Sequence, residues 1–106
     1  MEVHKKLGHG FLEKAYENAL MLLFQRECIE AKQQAPIKVY LDGEVVGEYF
    51  TDILIEDKSI LEIKALDKII DAHKAQTLNY LKATDLRIAI ILNFGKRKLE
   101  YERLII

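Results

Sequence analysis

Cysteine is almost absent from this chain, and the absence excludes a good deal: lone Cys28 cannot close an internal disulfide, and without a CxxC pair there is no cysteine-built zinc or iron–sulfur site. Such usage fits a reducing cytoplasm. No run of about 18 apolar residues occurs and no export signal is visible, so neither a membrane span nor a secreted product is expected. An excess of one charge is missing too. The 16 basic and 17 acidic residues leave a net charge of −1, so the overall field does not draw the protein to nucleic acid, although a local basic rim around an acidic site is compatible with that balance. Repeats, linkers and low-complexity tracts are lacking. At 106 residues, 50% hydrophobic and 31% charged, the chain reads as one soluble globular domain over 1–106, long enough to bury a core but with no room for a second domain.

What is present is a clear order of elements. Residues 2–7 read as the end of a helix interrupted by Gly8 and Gly10, after which Phe11, Ala15, Ala19, Leu22 and Leu23 recur at helical spacing to about Cys28. Pro36 and 37–41 open strand character, Asp42-Gly43 signals a tight hairpin turn, and 45–55 continues as a long strand. A strand at 59–65 follows, then a helix from 67 to 83 ended by Asp85, a nearly all-apolar strand at 87–93, a turn at Phe94-Gly95-Lys96, and a last strand at 98–106. The order α, β, β, β, α, β, β describes a mixed sheet flanked by helices, of the α/β or α+β class. Ile53 and Ile55 project to one side of their strand and Phe50 and Leu54 to the other, as in an interior strand covered on both faces.

Charge inside these apolar strands is the chemical signal. Glu62-Ile63-Lys64 ends one of them, and Asp52 lies within the apolar run 49–55. A carboxylate and an ammonium at i and i+2 on a strand share a face, roughly 6.6 Å apart at ~3.3 Å per residue. If Glu56-Asp57-Lys58 forms a three-residue hairpin loop, Asp52 falls opposite Glu62, a like-charge pairing that destabilises unless something bridges it. A divalent cation is the simplest bridge. Alone, the triplet also suits a structural ion-pair cluster or a wet sheet edge. On the helices, Glu13 and Tyr16 lie one turn apart on the same side, and Gln76 and Tyr80 stand at i and i+4 with His73 nearby. A helical glutamate is commonly just solvated, and Tyr16 equally suits a core position. Gln76 and Tyr80 suit either a buried hydrogen-bonded pair or contact with a phosphate.

The segment 10–16, with Gly10, Glu13 and Tyr16, matches the G-x-x-E-x-x-Y signature, and the sequence resembles the GxxExxY proteins, a group within the PD-(D/E)XK nuclease superfamily. The resemblance runs over essentially the whole chain, through Gly47-Glu48-Tyr49, Asp52, Leu61-Glu62-Ile63-Lys64-Ala65, His73-Lys74-Ala75-Gln76, Tyr80-Leu81-Lys82 and Asn93-Phe94-Gly95. The combination is specific, whereas no single motif is. Members of the family often begin earlier than Met1, so part of the first helix is expected to precede it. The resemblance implies a restriction-endonuclease-like α-β-β-β-α-β core. It further implies that Asp52 and Glu62 bind the metal, that the Ile63 carbonyl completes the inner shell, and that Lys64 positions the attacking water and the phosphate. By the same likeness Glu13 is the helical acid that some members add to the metal shell, and Gln76 and Tyr80 form the Q-x-x-x-Y element that orients substrate or Lys64. Thr51 departs from the family pattern, in which proline can precede the aspartate.

Phosphodiester hydrolysis requires an oxygen-ligated hard cation, and Mg²⁺ takes one or two carboxylates from protein while keeping several waters. Asp52 and Glu62 supply that number. The sequence therefore leads to a small Mg²⁺-dependent nuclease, with Mn²⁺ as a substitute ion, acting on DNA ahead of RNA. A homodimer would let so small a domain cover more DNA. Two other classes suit the residues: a non-catalytic module of the same fold that binds nucleic acid or protein, favoured slightly by the neutral charge, and a small-molecule phosphoesterase. The intact set Glu13, Asp52, Glu62, Lys64 and Gln76 argues against a degenerate, non-catalytic member.

Overall fold

In the computed structural model the described residues are 3, 13–84, 86–95 and 99–106. They form α1 (Glu13–Arg26), β1 (Ala31–Leu41), β2 (Glu44–Ile55), β3 (Ser59–Lys64), α2 (Asp71–Ala83), β4 (Ile88–Asn93) and β5 (Glu100–Ile105). This is the expected order. Of the early helix expected at 2–7, Val3 alone is described, helical and buried; Gly10, Phe11, Leu12, Asp85, Lys96 and Lys98 lie outside the described residues.

The strands make one mixed sheet in sequence order, β1 to β5, with β3 and β4 parallel and every other neighbouring pair antiparallel. Parallel neighbours need a crossover, and α2 supplies it. Consecutive residues of β3 face opposite ways, which creates two cores. Leu61 and Ile63 pack with Tyr16 and Leu20 of α1, Ile53 and Leu92 on one face, while Ile60 packs with Leu81 of α2, Ala89 and Ile37 on the other. Both central strands are thus covered on both sides.

Local chemistry explains the turns. Asp42 and Gly43 both adopt positive φ, 50° and 80°, the conformation that a two-residue hairpin loop demands. Helix α1 stops at Arg26 because Cys28 turns left-handed (φ 57°), letting the Ile29 N–H return to the Phe24 carbonyl at 2.9 Å and cap the helix end.

Three expectations shift. Helix α2 begins at Asp71 instead of 67, because the preceding loop is held to the sheet: the Leu66 N–H donates to Asn93 Oδ1 (2.8 Å) and the Ile69 N–H to Glu100 Oε1 (2.7 Å). The His73 imidazole, near the start of the helix, accepts from the Ile70 N–H at 3.2 Å. Strand β1 starts at Ala31, six residues before the expected 37, recruited by pairing with β2 instead of by any apolar pattern of its own. Phe50 is 54% exposed, not interior, because β2 pairs with β3 only over 53–55, and its remaining length runs out with β1 as a two-stranded ribbon that also exposes Tyr40, Leu41, Val45 and Val46.

Buried Asn93 clamps the end of β4. Its Oδ1 accepts from Leu66 and Gly95 N–H groups, and its Nδ2 donates to the Leu66 carbonyl (2.9 Å) and Glu100 (3.0 Å). The clamp draws Gly95 so close to Leu66 that any Cβ would overlap the Leu66 backbone. Gly95→Ala is therefore expected to destabilise by about 2 kcal/mol or more, lowering the melting temperature by roughly 10 °C. Thermal unfolding followed by circular dichroism tests it, and an unshifted transition would show that the approach is not required.

Candidate active site

The β2–β3 ladder runs from Ile55↔Ser59 to Ile53↔Leu61, the register a three-residue loop imposes, and stops one residue short of Asp52 and Glu62. In place of a further ladder bond, the Ile63 N–H donates to the Asp52 carboxylate, Oδ2, at 2.7 Å. A strand residue directs its N–H and C=O to the same neighbouring strand, so the Ile63 carbonyl also faces the gap beside Asp52. Glu62 is partly buried there and accepts a hydrogen bond from the buried Thr51 hydroxyl at 2.9 Å. Burial, and next the negative charge of Asp52, push the Glu62 carboxyl up to about 7. The Lys64 ammonium, two residues on, works in the opposite direction. Asp52, Glu62, Lys64 and the Ile63 carbonyl thus meet at the place where β2 and β3 part.

The first helix contributes differently from expectation. Glu13 is the first residue of α1 and is exposed; it forms no cluster of three metal-ligating side chains with Asp52 and Glu62 among the described residues. Tyr16 is fully buried and stacks on Phe94 with ring centroids 4.2 Å apart. One turn after Glu13, Glu17 is only 4% exposed. It accepts hydrogen bonds from Gln33, from Gln34 (2.7 Å) and from Lys14 (2.7 Å). Burial alone pushes Glu17 up, but these three donors outweigh it and hold the carboxyl below its ordinary value. Gln34 also donates to Asp52 Oδ1 at 3.4 Å, which links the helix to the strand end.

On the other face, exposed Gln76 donates to the Tyr80 hydroxyl at 3.2 Å. Tyr80 stacks on Tyr49 of β2, with centroids 3.7 Å apart. Burial, then the charges of Glu62, Tyr80 and Asp52, raise the Tyr49 phenol far above its usual range, so it stays protonated. Its buried hydroxyl has no hydrogen-bond partner among the described residues; the Thr51 hydroxyl is near enough to moderate its acidity but out of bonding geometry. Among the described residues, Tyr49 links Tyr80 and its partner Gln76 to Glu62. Sequence reasoning missed Glu17, Gln34 and Tyr49 as neighbours of the site; the polar pair Gln33-Gln34, just ahead of a strand opposite Asp52, was the available signal.

Two carboxylates and a backbone carbonyl at one open edge form an all-oxygen donor set suited to a hard divalent cation that keeps part of its water shell. Their fit rests on Glu62 itself, whose protonation relieves the same repulsion that a cation would relieve. A groove of about 550 Å³ between α1 and β1, lined by Met21, Leu22, Phe24 and Ile29, contains none of these residues.

A sequence model of the PD-(D/E)XK nuclease superfamily matches residues 1–104, and the chain belongs to that superfamily. Among solved structures, the crystal structure of SSO0001 superposes with a TM-score of 0.61 at 16% identity, over 87% of this chain and 48% of that one. The chain thus spans about half the length of that structure, and the likeness establishes the shared restriction-endonuclease-like fold. No curated protein matches the sequence.

Two measurements follow from the electrostatics. Glu62 ionises near 4.5 when unfolded and at about 7 when folded, so the folded protein binds more protons between these values and stability falls as pH rises across them. Urea unfolding at pH 5 and pH 7.5 is expected to show this loss in the wild type and a smaller one in Glu62→Gln; equal losses would mean that Glu62 is not the group responsible. Tyr49→Phe removes a hydroxyl that satisfies nothing, so the metal-free variant is expected to be as stable as the wild type or up to about 1 kcal/mol more stable. A clear loss of stability would reveal a partner for that hydroxyl.

Proposed function

We propose that this chain is a metal-dependent nuclease of the GxxExxY group, hydrolysing phosphodiester bonds in nucleic acid, DNA ahead of RNA, with Mg²⁺ as its ion. One observation carries the reading: Asp52 and Glu62 lie together at the broken end of the β2–β3 ladder, with the Ile63 carbonyl turned to the same gap and Lys64 on the same strand. Membership of the nuclease superfamily supports it.

In this reading Asp52, Glu62 and the Ile63 carbonyl hold the cation. Bound there, the ion supplies Lewis-acid activation of water and neutralises charge growing on the phosphoryl oxygens. Asp52 is fixed by the Ile63 N–H, and Glu62 by Thr51, so both present oxygens without rearranging. Lys64 donates to the phosphate and stabilises the additional negative charge of the transition state. Water adds to phosphorus, one P–O ester bond breaks, and the departing oxygen takes up a proton. The hydrogen-bonded pair Gln76–Tyr80, joined to the site through the stack of Tyr80 on Tyr49, orients the strand being cut.

Cleavage assays on branched, single-stranded and duplex DNA with Mg²⁺ or Mn²⁺ test the proposal. The wild type is expected to cut at least one substrate, and Lys64→Ala to lose about 100-fold in rate while still binding metal. Asp52→Asn is expected to lose both cleavage and the rise in melting temperature that the metal gives the wild type. Wild-type protein that binds DNA yet cuts none of these substrates with either metal would point instead to a non-catalytic binding module.

A further inference from the structure

We propose that Gln34 is a positioning residue: its side-chain amide ties Asp52 to buried Glu17 and thereby fixes the direction from which Asp52 meets the cation. The inference rests on the metal-dependent reading given above.

The backbone carries the first part of the case. Gln34 lies inside β1 at φ 51°, a left-handed conformation unfavourable for a residue with a side chain. In a regular strand, neighbours point to opposite faces, so Gln33 and Gln34 could not reach the same group. Here both donate to the Glu17 carboxylate, Gln34 to Oε1 and Gln33 to Oε2. The left-handed turn of the chain at Gln34 is what brings its amide to that side.

The partner strand breaks its alternation at the same level. Gln33 pairs with Ile53 and Ala35 with Thr51, so Gln34 stands across from Asp52. One residue after that point Ile53 belongs to the core under α1, whereas three residues before it Tyr49 packs in the core under α2. Since both are odd-numbered positions of one strand, regular pleating would put them on a single face. This irregularity lies at the Gln34–Asp52 level, one residue beyond the last β2–β3 pair, and backbone departures of this kind persist where surrounding contacts hold them in place.

The chemistry of the amide carries the rest. Both acceptors, Glu17 Oε1 and Asp52 Oδ1, are carboxylate oxygens, so the nitrogen of Gln34 must face them, and its two N–H groups can serve one each. Asp52 then has Oδ2 on the Ile63 N–H and Oδ1 on Gln34, which holds its plane from two sides and leaves the remaining lone pairs for the ion. A neutral donor suits this position. An ammonium here would compete with the cation for Asp52, and an apolar side chain would let the carboxylate swing.

Gln33 provides an internal control, because it donates to Glu17 and Asn18 and makes no hydrogen bond to Asp52. The experiment is calorimetric titration of the full chain with Mn²⁺, alongside melting temperatures without metal. Gln34→Met and Gln33→Met each remove a donor from Glu17, so both are expected to lower the metal-free melting temperature. Gln34→Met alone is expected to weaken Mn²⁺ binding, by about tenfold. Gln34→Asn, which tolerates the left-handed backbone but draws the amide back by one methylene, is expected to do the same and serves if the Met variant does not fold. Unchanged Mn²⁺ affinity in the Gln34 variants, or equal weakening in Gln33→Met, overturns the proposal while the metal site stands. Wild-type protein that takes up no Mn²⁺ overturns the metal reading itself, and this inference with it.

Discussion

The hydrogen bond from the Ile63 N–H to the Asp52 carboxylate is the constraint around which the site is built. A side chain there accepts the proton that a neighbouring strand would otherwise accept, so β2 and β3 separate without leaving a main-chain donor unsatisfied. Separation turns the Ile63 carbonyl toward open space and lets two acids stand side by side. Ile53 and Leu61, paired at the last rung, are both buried and keep the strands together immediately before they part.

Crowding two carboxylates at a sheet end is unfavourable, and the elevated Glu62 carboxyl expresses that penalty. Apolar packing on both faces offsets it. The core under α1 and the core under α2 meet the same strand, β3, at consecutive residues, so Glu62 is held in a frame that cannot relax by tilting to either side. Thr51 and Tyr49, from the neighbouring strand, close over it. The reversal of β2 between Tyr49 and Ile53 lets one strand place a phenol in the α2 core and, four residues on, an isoleucine in the α1 core, with Asp52 between them.

Much of this was legible in the residues. The element order followed from apolar periodicity and from turn signals such as Asp42-Gly43, because both act over a few neighbouring positions. The facing of Asp52 and Glu62 followed from counting back from a three-residue loop, since a hairpin register propagates rigidly from its turn. The shared influence of Glu62 and Lys64 followed from a strand period of two.

Only the tertiary structure decided the surroundings of those acids. Counting back from the two-residue turn at Asp42-Gly43 would set Gln33 across from Asp52, but the irregularity at Val39/Tyr40 shifts the pairing by one and brings Gln34 there instead. In the same way the helix presents Glu17, not Glu13, toward the strand end, because its rotation is set by burying Tyr16 and Leu20 against β3. Phe50 is exposed because β3 is too short to cover the outer length of β2. Local pattern determines which elements form and how adjacent strands count off; a bulge, a helix rotation and the length of a neighbour are properties of the packed whole, so the residues around the carboxylates were settled only on folding.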